Sequence, residues 1–517
     1  MMVSEYIDEG IRMKKIIALS ATAAFLSTAV YANDDLQSQI DKLNKQVNYL
    51  QKKVSSVNAQ AANDNIKFDV DFRTAVDKIE YESVNGNKYK NTNLYSNRLW
   101  LNMGYAPTDD MVFKGQLSYY KAFGASYGQR GTGFGFDTFD WISSETLNDD
   151  KVRVREAYWL WMPTFGDARV TASIGRRPST NGYLANLRED DKKPKSPLGH
   201  VINMEFDGAS AGVTLDKVLP GFMVKLCLGR GLTNATGWAS NATSRITPTG
   251  FNSFTGGSTQ PNYTEDGNNL DTVDLYGFIF VPYDDGQYAV KTTWYRGKNV
   301  PGLILSDYSA GADATMNTAD DVQTWSMQNT GDMDGMAVSF KVDGIGNEIS
   351  DFLDETTFFA SYAMSKSHPA SVNRTATATM VAQGMGITGS MLGSNKSETG
   401  HSYWLGVNMP NLTGGRFGLE YNHGDEHWKS FTYGEDTMSG SKLATRGNAI
   451  EAYWTQPLID NVFSMQVRYT QMNYDYSGSN GFFGDGSLSY KVDSIMGKMM
   501  DEIETAQDLR VYFRYRY

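Results

Sequence analysis

From Ile66 to its last residue the sequence alternates apolar and polar side chains with a period of two, in segments joined by connections that are by turns tight and long. A period of two puts successive side chains on opposite faces of an extended strand, so each segment offers one apolar and one polar face. The tight connections share a sign: a proline at an apolar strand end, then Gly, Asp or Asn a few residues later, at Pro107, Pro163, Pro282, Pro410 and Pro457. Proline fixes its own φ and cannot donate to a ladder, while Gly and Asp accept the left-handed angles of a tight reversal. The long connections fall near 83–93, 124–150, 177–200, 232–270, 299–330, 369–398, 424–446 and 476–504, with a short helix expected within 342–355. An open sheet of this size leaves edges, and unpaired backbone groups are costly in hydrocarbon, so the sheet has to close. The pattern predicts an all-β fold, a transmembrane antiparallel up-and-down β-barrel of about sixteen strands, with centres running from Phe72 and Leu101 through Ser173, Thr292 and Leu419 to Phe513.

Composition excludes other classes. Tyr 30, Phe 25, Trp 10 and Gly 50 are far from a disordered chain. A mean hydropathy of -0.44 with no mature apolar run of about 18 residues argues against a helical membrane protein. The net charge of -12 argues against nucleic acid as a partner. A single cysteine excludes a disulfide framework, a zinc-thiolate cluster and a covalently attached haem. No nucleophile elbow, phosphate-binding glycine loop or HExxH motif is present, so no enzyme and no cofactor are implied. Tyr105, Tyr119, Tyr120, Trp159, Trp161, Trp294, Tyr295, Trp404, Tyr453 and Trp454 stand at strand ends as an interfacial girdle would.

Residues 1–32 read as a secretory signal peptide: Lys14 and Lys15, an apolar stretch, then Val30 and Ala32 at the small-residue cleavage positions. Glu5, Asp8 and Glu9 precede that basic start, so translation is expected to begin at Met13. In residues 33–62, Leu36, Ile40, Leu43, Val47, Leu50, Val54 and Val57 recur at alternating spacings of four and three, the seam of a short α-helical coiled coil. Ile40, Val47 and Val54 at a with Leu36, Leu43 and Leu50 at d favour two parallel strands; a lone amphipathic helix is the other reading. The barrel is then expected over 63–517.

The C-terminal stretch DLRVYFRYRY places Leu509, Val511, Phe513, Tyr515 and Tyr517 on one face and Arg510, Arg514 and Arg516 on the other. It resembles the C-terminal signal of Gram-negative outer-membrane barrels, in which Phe513, Tyr515 and Tyr517 would be the residues read by the barrel-assembly machinery. With the signal peptide and short coiled coil, the chain resembles outer-membrane porins, in particular a poorly characterised proteobacterial porin-like family. That resemblance implies an outer-membrane location with lipid around the barrel, passive diffusion of ions and small solutes, and a homo-oligomer, a trimer by analogy. An envelope-tethering barrel that uses its periplasmic coiled coil is the alternative.

If Val511, Phe513 and Tyr515 face lipid, parity turns Arg510 and Arg514 inward, with Arg73, Arg98, Arg153, Arg155, Arg169 and Arg468 as further pore-lining candidates. The third long connection carries Glu189, Asp190 and Asp191 among many charges. By the porin resemblance it would fold into the pore, its carboxylates facing the arginine wall across a narrow aqueous gap and favouring anions. The same charge run also reads as a solvated surface loop. His423, Asp425, Glu426 and His427 could form a metal clamp, and acidic glycine-rich pieces from Asn262 and Gly311 could bind calcium, but neither carries a recognised spacing and no metal is expected.

Overall fold

The structure is a computed structural model, and it describes residues 66–124, 147, 151–177, 179–191, 193–233, 246–247, 250–251, 272–309, 322–344, 346, 349–370, 389–390, 392–393, 396–432, 437–479 and 489–517. The signal peptide, the Met13 start, the coiled-coil seam and the two acidic glycine-rich pieces lie outside the described residues. Sixteen long strands follow in chain order: β1 (Lys67–Ser83), β2 (Lys88–Thr108), β3 (Met111–Ala122), β4 (Arg153–Trp161), β5 (Ala168–Arg177), β6 (Phe206–Thr214), β7 (Met223–Leu232), β8 (Val273–Asp284), β9 (Tyr288–Ser309), β10 (Val322–Asp343), β11 (Thr357–Pro369), β12 (Thr399–Pro410), β13 (Arg416–Gly424), β14 (Gly447–Ile459), β15 (Phe463–Tyr474) and β16 (Ile503–Arg516). Each pairs antiparallel with its neighbours in sequence, and β16 pairs back onto β1 with Asp71 opposite Arg516 and Asp77 opposite Arg510. The ring has no free edge, and every expected strand centre lies in its own strand. Among the described residues no helix is long and apolar enough to cross a membrane; the strands do.

Alternation sets the faces. On β16, Leu509, Phe513 and Tyr515 are 39%, 44% and 39% exposed, while Asp508, Arg510 and Arg514 are buried in the interior. Outward Val338, Phe340, Phe358, Leu405 and Leu419 continue this apolar belt around the barrel, which is the surface a bilayer covers. The girdle expectation needs correction: Tyr120, Tyr295, Trp404 and Tyr453 are buried in the lumen. Tyr119–Tyr120, Trp294–Tyr295 and Tyr453–Trp454 are consecutive pairs, and strand geometry sends one of each pair inward.

Two connections are shorter than expected. β1 and β2 join through residues 84–87 alone, with Gly86 at φ +82 in the left-handed region that glycine adopts freely. The polar run Lys88–Asn93 reads as loop but is strand, because the hairpin stands clear of the apolar belt with both faces wet. β9 and β10 likewise extend to leave only 310–321 between them. Pro301 and Gly302 look like breakers, yet pairing resumes after a register shift beyond Gly297. The short helix expected within 342–355 is present as Asp351–Asp354, capped by the Ser350 side chain.

The interior is filled on one side. The described parts of the connections 178–205 and 425–446 turn inward, and their Leu198, Val201, Met204, Trp428, Phe431 and Leu443 pack against Leu275, Tyr295, Met333, Phe359 and Trp404 of the wall. The barrel therefore holds a conventional apolar core against β8–β12 and a charged interior against its remaining strands.

Candidate functional site

The charged interior is centred where β16 meets β1. Arg514 Nε donates to Asp71 Oδ1 at 2.8 Å, and its Nη2 donates to the other carboxylate oxygen. One step along the seam Arg510 Nε donates to Asp77 Oδ1. Arg73 lies between the Tyr120 and Tyr512 rings, 5.8 and 5.2 Å from their centroids, and donates to the Tyr120 hydroxyl at 3.3 Å. Arg98 and Arg155 both lie against the Trp100 ring at 3.6 and 4.3 Å. Planar guanidinium groups stack flat on rings and fork onto carboxylates in this way, whereas a lysine ammonium lacks the fork. Of the eight arginines named from parity, Arg73, Arg98, Arg155, Arg468, Arg510 and Arg514 are buried in the interior. Arg153 is half-buried on β4, and Arg169 stands at the short-turn rim, exposed and paired with Asp216 at 2.6 Å.

The connection 178–205 crosses to this wall. Its Gly182–Tyr183 segment pairs in parallel with Lys195–Leu198, and a single helical turn, Ala185–Arg188, carries the tip. Glu189 Oε1 accepts from Arg468 Nη2 at 2.9 Å, and the Glu189 carbonyl accepts from Arg514 Nη1 at 2.7 Å and Arg516 Nη2 at 2.9 Å. The Asp190 carbonyl accepts from Arg516 Nη1 at 2.8 Å, and Asp191 lies 3.6 Å from Arg514. The Arg188 carbonyl accepts from Gln466 at 3.0 Å. The Glu189 carboxylate thus meets the arginine wall directly, while Asp190 and Asp191, more exposed, each lie 3.6 Å from a wall arginine. Contact is the lower-energy arrangement once the tip is desolvated, because a buried carboxylate without a partner is strongly penalised.

A second charge cluster, which sequence reading missed, anchors the tip from behind. Lys442 Nζ donates to Glu420 at 2.6 Å and to Glu451 at 2.5 Å, and Arg188 lies 3.5 Å from Glu451. Trp404 Nε1 donates to Glu420 and Thr470 Oγ1 to Glu451. Arg188, Arg468 and Lys442 balance Glu189, Glu420 and Glu451, so the buried set carries no net charge. The available signal was parity: Glu420 and Glu451 occupy inward positions in mid-strand, where a lone acid needs a buried cation.

The two inward connections also hold each other. Phe431 N–H donates to the Val201 carbonyl at 2.9 Å and Asn203 N–H to the Phe431 carbonyl at 2.6 Å. His200 bridges the Ser361 and Ser402 hydroxyls at 2.9 Å each and sits between Trp404 and Trp428; burial lowers its pKa to about 3, so it is neutral here. Burial, reinforced by the Arg446 charge, lowers Lys429 to about 7. Arg446 donates to the Trp428 carbonyl at 3.0 Å and the Ser477 carbonyl at 2.8 Å, closing this connection against the next.

His423 and His427 do not come together as a clamp would need. His423 Nδ1 lies 3.1 Å from Asn448 Oδ1, whereas His427 pairs with Glu398 at 3.0 Å. Among the described residues no three of His, Cys, Asp and Glu gather as a metal would need.

A family model described as "Protein of unknown function (DUF3373)" matches residues 88–517. No curated protein matches the sequence. Solved structures of similar fold include an anion-selective porin from Comamonas acidovorans, at 10% identity over 88% of this chain and 99% of that one, TM-score 0.45. They also include OmpF of Salmonella typhi in complex with daunomycin, at 11% identity over 88% of this chain and 99% of that one, TM-score 0.42, and OprB of Pseudomonas putida, at 9% identity over 87% and 94%, TM-score 0.42.

Proposed function

We infer that this chain, which belongs to the DUF3373 family, is an outer-membrane porin: a passive channel for ions and small hydrophilic solutes, narrowed by its own third long connection. The barrel supplies the path, because closure leaves a lumen lined by polar side chains and an outer belt that lipid covers. The observation that carries the reading is the contact of Glu189 with Arg468 and of the Glu189 carbonyl with Arg514, which holds the 178–205 tip against β15 and β16. A tip fixed on the far wall sets the narrowest section, and the width and charge of that section set what passes. Arg73, Arg98, Arg155 and Arg510 line the wall beside it, and the protein works as a homo-oligomer, a trimer, embedded by the barrel-assembly machinery.

The test is single-channel recording of the purified protein in planar bilayers. Discrete ohmic steps are expected, and Glu189→Gln, which weakens the tip anchor, is expected to raise step size or add open-state noise. A bilayer that stays silent at protein levels where trimers are seen by chemical cross-linking overturns the channel reading.

A further inference from the structure

Opposite the arginine wall, a cavity of about 80 Å³ opens between the 178–205 connection and strands β5 to β9. On that scale a single water needs about 10–15 Å³, so there is room for several waters or one small anion. Most of its lining is apolar, from Ile202, Phe206, Leu275 and Ile279 among others, but its charged members are two cations, Lys225 and Arg177, Ser196 and Thr293 contribute hydroxyls, and no Asp or Glu is among the described lining residues. Lys225 is 8% exposed, and its ammonium donates to Ser196 Oγ at 2.8 Å. Arg177 stacks on Tyr158 at 4.5 Å, with its buried Nη1 lacking a hydrogen-bond partner. Ser196 Oγ already accepts from Lys225, and Thr293 Oγ1 already accepts from the Leu198 N–H at 3.1 Å, so both hydroxyl protons are free to point elsewhere. Glu205, a nearby acid, is taken up by the Ser179 N–H, Thr180 and Arg155.

Elsewhere in the interior Arg155, Arg188, Lys442, Arg468, Arg510 and Arg514 each meet a carboxylate, so the polar part of this cavity, with two cations, free hydroxyl donors and no acid, has the composition of an oxyanion receptor. We propose that it binds a small oxyanion of the phosphate or carboxylate kind, with Lys225 and Arg177 as its charge partners and Ser196 and Thr293 as its hydroxyl donors. The site deepens the porin reading, for it would hold anionic solutes beside the path through the lumen.

The chain carries its own reporter. Cys227, the single cysteine, lines the same cavity and is part-exposed. In the full protein in detergent, Cys227 is expected to react about tenfold faster with a negatively charged sulfonatoethyl thiosulfonate than with the positively charged trimethylammonium analogue. Millimolar inorganic phosphate should slow that reaction. Lys225→Gln should remove both the charge preference and the protection, whereas Lys225→Arg should keep them. Heat-shifted gel mobility reports whether each variant is folded; if Lys225→Gln is not, Arg177→Gln and phosphate protection of the unaltered protein still decide. Equal or inverted reagent preference, no protection by phosphate, or a Cys227 inert to both reagents until the barrel is denatured would each overturn the site. Failure of the porin reading is seen separately, as silent bilayers with labelling and protection intact.

Discussion

Arg514 ties three parts of the molecule with one side chain: its own strand, Asp71 on β1, and the Glu189 carbonyl at the loop tip. Removing one member of a buried charge pair leaves the other desolvated and alone, at a cost of about 3–5 kcal/mol. Arg514→Ala is therefore expected to lower the temperature at which the barrel's gel mobility shifts and to free the tip, increasing open-channel noise. Arg514→Lys, which keeps the charge but loses the fork, should fall between. Unchanged mobility and noise in Arg514→Ala would show that the contact carries no load. His200 gives a pH handle at the same scale. Its pKa is about 3 when docked and about 6.5 when the loop is free, so the released loop takes up a proton that the docked loop cannot. The docked state keeps its full stability above about pH 6.5 and loses it as pH falls toward 3. Acid should therefore loosen the 178–205 connection, read as faster protease cleavage within it. In His200→Phe that cleavage should depend less steeply on pH across this window, the remaining response coming from the tip carboxylates, and an unaltered acid response in the variant would remove His200 as a cause.

At the scale of elements, strands were legible and inward connections only partly so. Alternation is local, so Leu405, Leu419 and Val467 locate β12, β13 and β15 without knowledge of any neighbour. The path of 178–205 is set by partners far along the chain, Arg468 and Arg514 among them. The porin resemblance suggested that it enters the pore, but not that its Glu189 carboxylate touches the wall. The 425–446 connection gave no signal at all, because Trp428, Phe431 and Leu443 are ordinary loop residues until Val201 and Phe359 are beside them. These two connections pair through Ile202 and Phe431, so they should dock and release as one unit. With the native thiol removed by Cys227→Ser, the double variant Ile202→Cys/Phe431→Cys is expected to form a disulfide under mild oxidant. The oxidised form should resist acid-induced cleavage within 178–205 at pH values where the reduced form is cut. Failure of the bond to form in folded protein would mean the two connections are not neighbours.

For the whole molecule the governing fact is that lipid covers one face of every strand and protein or water the other, around a ring closed by β1 and β16. Ring closure was readable because β16 pairs the face carrying Phe513 and Tyr515 with an equally apolar Phe72 and Val76 on β1, while Arg514 and Arg510 fall beside Asp71 and Asp77. What could not be read was how much of the lumen is filled, since filling depends on loops whose partners lie on the far wall. The two faces make opposite demands on the same substitution, and that difference tests the architecture as a unit. Val338 on β10 points outward and is 36% exposed without lipid, while its strand neighbour Ser339 is buried inside and donates to the Lys291 carbonyl. An arginine on the lipid face near mid-bilayer costs about 2–4 kcal/mol, because no water or carboxylate can reach it. Inside, a change from Ser339 to alanine forfeits one hydrogen bond of about 1 kcal/mol. Val338→Arg is therefore expected to reduce the folded fraction recovered from lipid vesicles, and more so in thicker bilayers that move the charge farther from water. Ser339→Ala should fold with little loss in any bilayer. A Val338→Arg whose folded fraction did not depend on bilayer thickness would mean that this face does not meet hydrocarbon, and the barrel would have to be turned inside out or taken out of the membrane.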